Sequence, residues 1–373
     1  GSYLRCDPKV LDDCKRFGFN MTSFCNNHTF DYSYEGMLKT LEHVHKSGLV
    51  QAGVGLNLDQ ASAPGYLDTK HGRTALISLT ATCNDVCIAG KQSRRVKGRP
   101  GVNQLRYTET LIVTPEQMKV LKEVEEGTEV NAGIHISIRE GYRPAPPAGT
   151  LTMGNLRFQT GEKNGRIMKC NDKDLQRVAK AIEEASYVAD HILITFHAHQ
   201  VGGVSKEVPG QFLEEFSHFC IDRGADAVIG HGPHLLRPLE IYKGKPIFYS
   251  LGDFVMMNEA IPFSPEDYYE KYGLNSDDTM CELFRVRSAN HTRGLQTQPV
   301  MFETVIPRWE IENGRMTRLE LMPVECGFGL PMSRVGLPKR APDDSILRRY
   351  AKMSEPYGTK MEIKNGIATV VLK

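Results

Sequence analysis

The sequence is most constrained between His191 and Phe254. Two short apolar runs there, residues 192–196 and 225–229, each end abruptly in histidines. His197 and His199 follow the first run, His231 and His234 the second. Runs of this length bounded by Gly and Pro read as buried strands. In open α/β sheets, functional groups gather just past the carboxyl ends of such strands. Four imidazoles delivered to that edge form a metal-site pattern, because neutral imidazole is the commonest nitrogen ligand. The HAH tripeptide alternates, so in extended backbone both rings share a face. In GHGPH the glycines allow a sharp turn that presents His231 and His234. The plainer alternative is loop and strand-end histidines bonded to backbone; two clusters together favour the metal.

The flanking chain keeps the same rhythm. Apolar spacing predicts helices over residues 8–17 and 34–47, the second closed by Gly48. Strands are expected over 19–24, 49–53 and 74–80. Residues 172–188 form a strongly amphipathic helix, followed by strand 192–196, helix 209–222, strand 225–229 and strand 245–251. This alternation predicts an α/β fold with a mainly parallel sheet covered by helices. The strand at 19–24 runs into Cys25-Asn26-Asn27-His28, a third strand-end cluster, although an Asx turn also explains the asparagines. From about 84 to 170 the alternation breaks into basic and proline-rich segments with one expected helix at 115–126. This reads as an insertion folded over the site. Beyond 258 comes a polar, Tyr-rich stretch and then hairpin signals at Asn313-Gly314 and Asn365-Gly366. The expected division is therefore 1–257 with its insertion, and a smaller antiparallel part over 258–373.

Lys plus Arg number 46 against 45 Asp plus Glu, so no nucleic-acid footprint or membrane-surface patch is expected. No apolar run reaches the roughly 18 residues of a membrane span. Nine cysteines in a chain of this length suggest reduced thiols in a cytoplasmic protein. A membrane-anchored extracellular form is expected instead if an anchor precedes the residues given.

NNHTFDYSYEGMLKTL, GRPGVNQLR and GADAVIGHGPHLLRPLEIYKGKPIFYSLGDF resemble the CapA family of capsule or poly-γ-glutamate synthesis proteins, within the calcineurin-like metallophosphoesterases. The resemblance implies a sandwich of β-sheets flanked by helices with a di-metal centre of Mn, Fe or Zn at strand ends. It implies Asn27, His197, His231 and His234 as metal ligands, and His28 as a catalytic acid poised by Asp31. Three departures stand out. No Asp-bearing strand end or second acidic ligand is found ahead of Asn27. Asp253 stands in SLGDF where the family usually has asparagine. Ala198-His199 replaces a usual Trp-Gly. Hard divalent ions favour carboxylate, so a centre built without those acids is poorly compensated.

Three functions follow. The first is metal-dependent hydrolysis, with His28 protonating the leaving group and Arg99, Arg106 and Arg237 orienting an anionic polymer, peptide or phosphoester. The second is a metal-independent peptide Cα epimerase, with His28, His199, Asp253 and Cys25 as proton carriers. The third is a non-catalytic polymer-binding component. The resemblance implies a capsule-synthesis membrane complex as partner, and no nucleic acid.

Overall fold

The computed structural model describes residues 2–257, 261–331 and 333–372. The first three residues of the polar stretch expected from 258 lie outside these. Along the chain run α1 (Val10–Arg16), β1 (Met21–Ser23), α2 (Ser33–Ser47), β2 (Val50–Ala52), β3 (Val54–Gly55), α3 (Leu58–Ser62), β4 (Gly65–Thr69) and β5 (Gly72–Thr80). There follow β6 (Gly101–Val102), β7 (Tyr107–Val113), α4 (Pro115–Thr128), α5 (Ala132–Arg139), β8 (Thr150–Met153), β9 (Leu156–Thr160) and β10 (Gly165–Cys170). Then come α6 (Asp172–Ser186), β11 (His191–His197), α7 (Gln211–Asp222), β12 (Ala227–His231), β13 (Leu236–Tyr242) and β14 (Lys245–Leu251). The chain closes with α8 (Glu266–Glu270), α9 (Met280–Arg287), β15 (Glu303–Glu312), β16 (Arg315–Glu325), β17 (Lys339–Arg340), α10 (Ser345–Ser354), β18 (Met361–Lys364) and β19 (Ile367–Val370).

The central six-stranded sheet has the order β13-β14-β12-β11-β5-β4. Its four inner strands are parallel, and an antiparallel strand closes each edge. β5 and β11 are apolar along most of their length because α6 and α7 cover them. Val178, Ala181, Ile182 and Ala185 of α6 and Phe212, Phe216 and Cys220 of α7 bury against Ile77, Leu79, Ile194 and Phe196. The amphipathic helix predicted at 172–188 is thus α6, capped by the Asn171 side chain, which accepts from the Lys173 N–H. A second core lies beyond β13 and β14. Leu236, Leu239 and Phe248 pack there with Val305, Leu319, Leu321, Leu347 and Tyr350 of the C-terminal antiparallel sheet and α10. The expected α/β sandwich of sheets flanked by helices, with a C-terminal antiparallel sheet, is therefore the observed architecture.

The region read as irregular between 84 and 170 is more ordered than the sequence suggests. It builds a four-stranded sheet, order β10-β7-β9-β8, and a second helix, α5, besides the expected α4. Its strands are mostly half-exposed and lack the apolar run of a buried strand, which hid them. Both C-terminal hairpins turn where expected. Asn313 and Gly314 adopt φ of 52° and 75°, Asn365 and Gly366 of 53° and 72°, the left-handed pair of a two-residue turn. All nine cysteines are free thiols. Among the described residues no helix is long and apolar enough to cross a membrane.

Candidate functional site

Register brings the histidines together. His197 ends β11 and His231 ends β12, and the two residues are direct partners in the parallel ladder. Their imidazoles meet Nδ1 to Nδ1 at 3.0 Å. On the other side of β11, His197 pairs with Thr80 at the end of β5. The turn after β12 stays tight because Gly232 takes φ +124°, with the Ala198 backbone 3.0 Å from where a Cβ would stand. His234 itself sits at φ 64°. His199 lies ring to ring with His197 at 5.0 Å and with His234 at 5.5 Å.

Two carboxylates orient two of the rings. His234 Nδ1 lies 2.9 Å from Asp253 Oδ2, so the strand end after β14 joins the cluster. His28 Nδ1 lies 2.7 Å from Asp31 Oδ2, which also accepts from the Leu4 N–H. The His28 backbone N–H donates to Asn26 Oδ1, the expected Asx turn. That turn and the histidine chemistry coexist. Its strand is anchored to the central sheet where the Ser23 and Ser78 hydroxyls hydrogen-bond at 2.5 Å.

Burial keeps the inner imidazoles neutral. It pushes the His197 ring far below its ordinary range, with further depression from the charges of His231, His199, His234 and His28. His199 is brought down to about 4 by burial, then by His234 and Arg237. His231 is brought to about 4 chiefly by burial. Neutral imidazole is the form that binds metal. The Nε2 atoms of His197, His199 and His231 and the Oδ1 of Asn27 are buried without a hydrogen-bond partner. Buried polar atoms are rarely left so, and each such atom calls for an explanation. In kind, three imidazole nitrogens and an amide oxygen fit a borderline transition metal. In placement the shell is open: among the described residues no three His, Cys, Asp or Glu side chains stand where they could hold an ion.

The three arginines singled out from sequence occupy different settings. Arg99 is exposed and donates through Nε to the Ile88 carbonyl at 2.9 Å. Arg106 forks onto Asp174, Nε to Oδ2 at 2.9 Å and Nη2 to Oδ1 at 2.7 Å. Arg237 is fully buried, donating to the carbonyls of Lys206 and Gln200, with Nη1 unpartnered. It pins the loop that follows His199. Cys25 is buried, donates a hydrogen bond through its thiol to the Asn103 carbonyl, and is held well above the usual thiol range by burial.

The sequence reading passed over Thr82 and Gln200. The Thr82 hydroxyl accepts from the His199 N–H at 3.0 Å, and the Gln200 amide donates to the Ala81 carbonyl at 3.2 Å. The available signal was that TALISLTAT also ends a central strand, beside HAH. Phe17 and Phe19 set their edges against Phe254, at 5.3 and 5.4 Å between ring centres, next to Asp253.

Comparison with known proteins places this arrangement. An uncharacterized protein, y4sH, of Sinorhizobium fredii (strain NBRC 101917 / NGR234) is 33% identical across 100% of this chain and 80% of its own length. The PGA biosynthesis protein CapA of Bacillus subtilis (strain 168) is 26% identical over 68% of this chain and 47% of its own. The capsule biosynthesis protein CapA of Bacillus anthracis is 23% identical over 68% of this chain and 44% of its own. The model of the family described as bacterial capsule synthesis protein PGA_cap matches residues 2–258, which span every histidine, asparagine and carboxylate of the cluster. The chain belongs to that bacterial capsule synthesis family, a metallophosphoesterase-like group.

Proposed function

We propose that the chain acts on an anionic capsule polymer of the poly-γ-glutamate type, or on a phosphoester linked to its synthesis, as a metal-dependent hydrolase. The observation that carries this reading is the set of buried, unpartnered donor atoms on Asn27, His197, His199 and His231. The Nδ1 atoms of His197 and His231 share one hydrogen bond, which leaves their buried Nε2 atoms as the ones free to ligate an ion. Asn27, His197, His231 and His234 would hold the ion. A bound Mn, Fe or Zn would supply Lewis acidity and a more acidic bound water. His28, hydrogen-bonded to Asp31, would deliver a proton to a leaving group. Asp253 fixes the tautomer of His234.

The test is metal content and turnover in the full chain. Reconstitution with Mn, Fe or Zn should leave near-stoichiometric ion after desalting, with phosphodiester turnover, and His231→Ala should lose both. A parent protein that retains no ion under those conditions overturns the reading.

A second reading draws on the two complete imidazole–carboxylate pairs, His28–Asp31 and His234–Asp253, and on the open metal shell. Such pairs suit metal-independent proton exchange at a peptide Cα. The protonated thiol of Cys25 does not help it. Solvent deuterium entering a peptide Cα in chelator-treated protein would select this reading. Polymer binding with neither activity would leave a non-catalytic component.

A further inference from the structure

Among the described residues, three Asp, Glu, Lys or Arg residues are no more than 5% exposed: Glu125, Asp174 and Arg237. Two of them have a partner of opposite sign. Glu125 Oε1 lies 3.1 Å from the His135 ring, and Asp174 accepts from Arg106 and Arg177. Arg237 makes no ion pair among the described residues. Its hydrogen bonds run only to backbone carbonyls, Nε to Lys206 at 2.8 Å and Nη2 to Gln200 at 2.9 Å. Nη1 is buried with no hydrogen-bond partner.

Two carbonyls satisfy two donors but bring no charge. Burial lowers the guanidinium only to about 10, so it stays a cation at neutral pH. A buried charge left without a counter-charge is strongly destabilising, and a buried donor without an acceptor calls for its own explanation. The acids reached through neighbouring side chains are engaged elsewhere. Tyr357, whose phenol bears on Arg237, gives its hydroxyl hydrogen bond to Glu214 at 2.5 Å. The Tyr249 ring lies 5.3 Å from the Tyr357 ring, and its hydroxyl donates to Glu240 at 2.6 Å. Glu240 also takes the His218 ring, at 2.9 Å.

We infer that Arg237 Nη1 holds a small inorganic anion, a halide such as chloride, where β13 meets the loop after His199. A halide supplies both missing things, an acceptor for the N–H and a negative charge. A water molecule supplies the acceptor alone. Full burial limits the occupant to an ion of about this size, since a phosphoester or a polymer carboxylate brings its own bulky substituents.

The bound ion has a mechanical consequence. Gln200 and Lys206, the two residues Arg237 holds, are the two arms of one loop. Its base is closed where Val201 bridges Pro209 and the Gly202 N–H donates to the Val208 carbonyl at 3.0 Å. Gln200 also donates to the Ala81 carbonyl, and Val204 stands fully exposed at the tip. An anion that fixes the guanidinium thereby fixes both arms. The inference rests on no chemistry of the histidines.

The experiment uses the full chain with chelator present, dialysed into gluconate and then titrated with chloride at constant ionic strength. Chloride should raise the thermal midpoint by several degrees in a saturable way, because it binds the folded state alone. It should also slow tryptic cleavage after Lys206 severalfold, because cleavage there needs local opening of the loop. Arg237→Gln, which keeps a donor and removes the charge, should lose both responses. Equal midpoints in chloride and gluconate overturn the site, as does a chloride response that persists in Arg237→Gln. Crystals of the parent grown in bromide decide the matter even where Arg237→Gln does not fold. An anomalous peak beside Nη1 supports the halide, and an ordered water there overturns it.

Discussion

His197 and His231 are ladder partners on adjacent parallel strands, and their Nδ1 atoms lie 3.0 Å apart at the strand ends. The sheet itself therefore sets the spacing of their backbones. A ligand bound by both should stabilise the whole sheet. At a hundredfold excess over its dissociation constant, a divalent ion adds about 2.7 kcal/mol. The thermal midpoint of metal-stripped protein should rise by several degrees on adding Zn or Mn. In His231→Ala the rise should disappear, as scanning calorimetry would show.

The buried rings also set a pH limit on the metal-free protein. The folded state holds His199 and His231 near 4, while the unfolded chain titrates near 6.5. Between those values the unfolded state binds the extra protons. The stability tied to neutral imidazole is thus full above about pH 6.5 and is lost as pH falls toward 4. The loss is on the order of a few kcal/mol, less for the more exposed His199. Urea midpoints at pH 7.5 and 4.5 measure it. A flat profile would mean that the rings are not buried neutral.

Asp174 is fully buried and accepts from the Arg106 backbone and side chain and from Arg177. Burial alone would raise its carboxyl, but the Arg106 hydrogen bonds and the Arg177 charge outweigh that and hold it below the usual range. Asp174→Ala leaves cations without their partner and should cost about 3 kcal/mol, the lower end for a broken buried pair because Arg106 is half exposed. The contribution is present above about pH 4 and fades below it. A denaturant midpoint shift in the parent but not in Asp174→Ala below pH 4 checks the sign.

Gly232→Ala should be worse than Gly18→Ala. Both glycines adopt positive φ, +124° and +93°, so both substitutions incur backbone strain of about 1–2 kcal/mol. Only at Gly232 does the new methyl meet backbone, that of Ala198, whereas Gly18 faces open space. A difference of about 1 kcal/mol or more between the two unfolding free energies is expected. Equal costs would show that the turn after β12 relaxes freely.

Buried elements read clearly from sequence because burial on both faces writes an apolar run. β11, β12 and β14 were found within two residues, and α6 from its apolar stripe. The sheet of β7 to β10 was hidden because half-exposed strands alternate weakly and β8 begins in a proline-rich loop. The histidines were legible as strand-end residues. Their pairing was not, since it depends on register between strands 34 residues apart. Likewise nothing local reveals that Arg106 meets Asp174, 68 residues on, or that Arg237 turns inward to hold a loop.

The family pattern stops at residue 258, but the apolar surface of β13 and β14 does not. Leu236, Leu239 and Phe248 are dry only because residues 303–372 lie over them. A chain cut at the family boundary would present that face to water as a sticky plane, beside the strand end that carries Asp253. Failure of such a fragment to bind or turn over a ligand would report on its aggregation rather than on its histidines. Residues 303–331 and 333–372 are the lining that makes the histidine-bearing half testable.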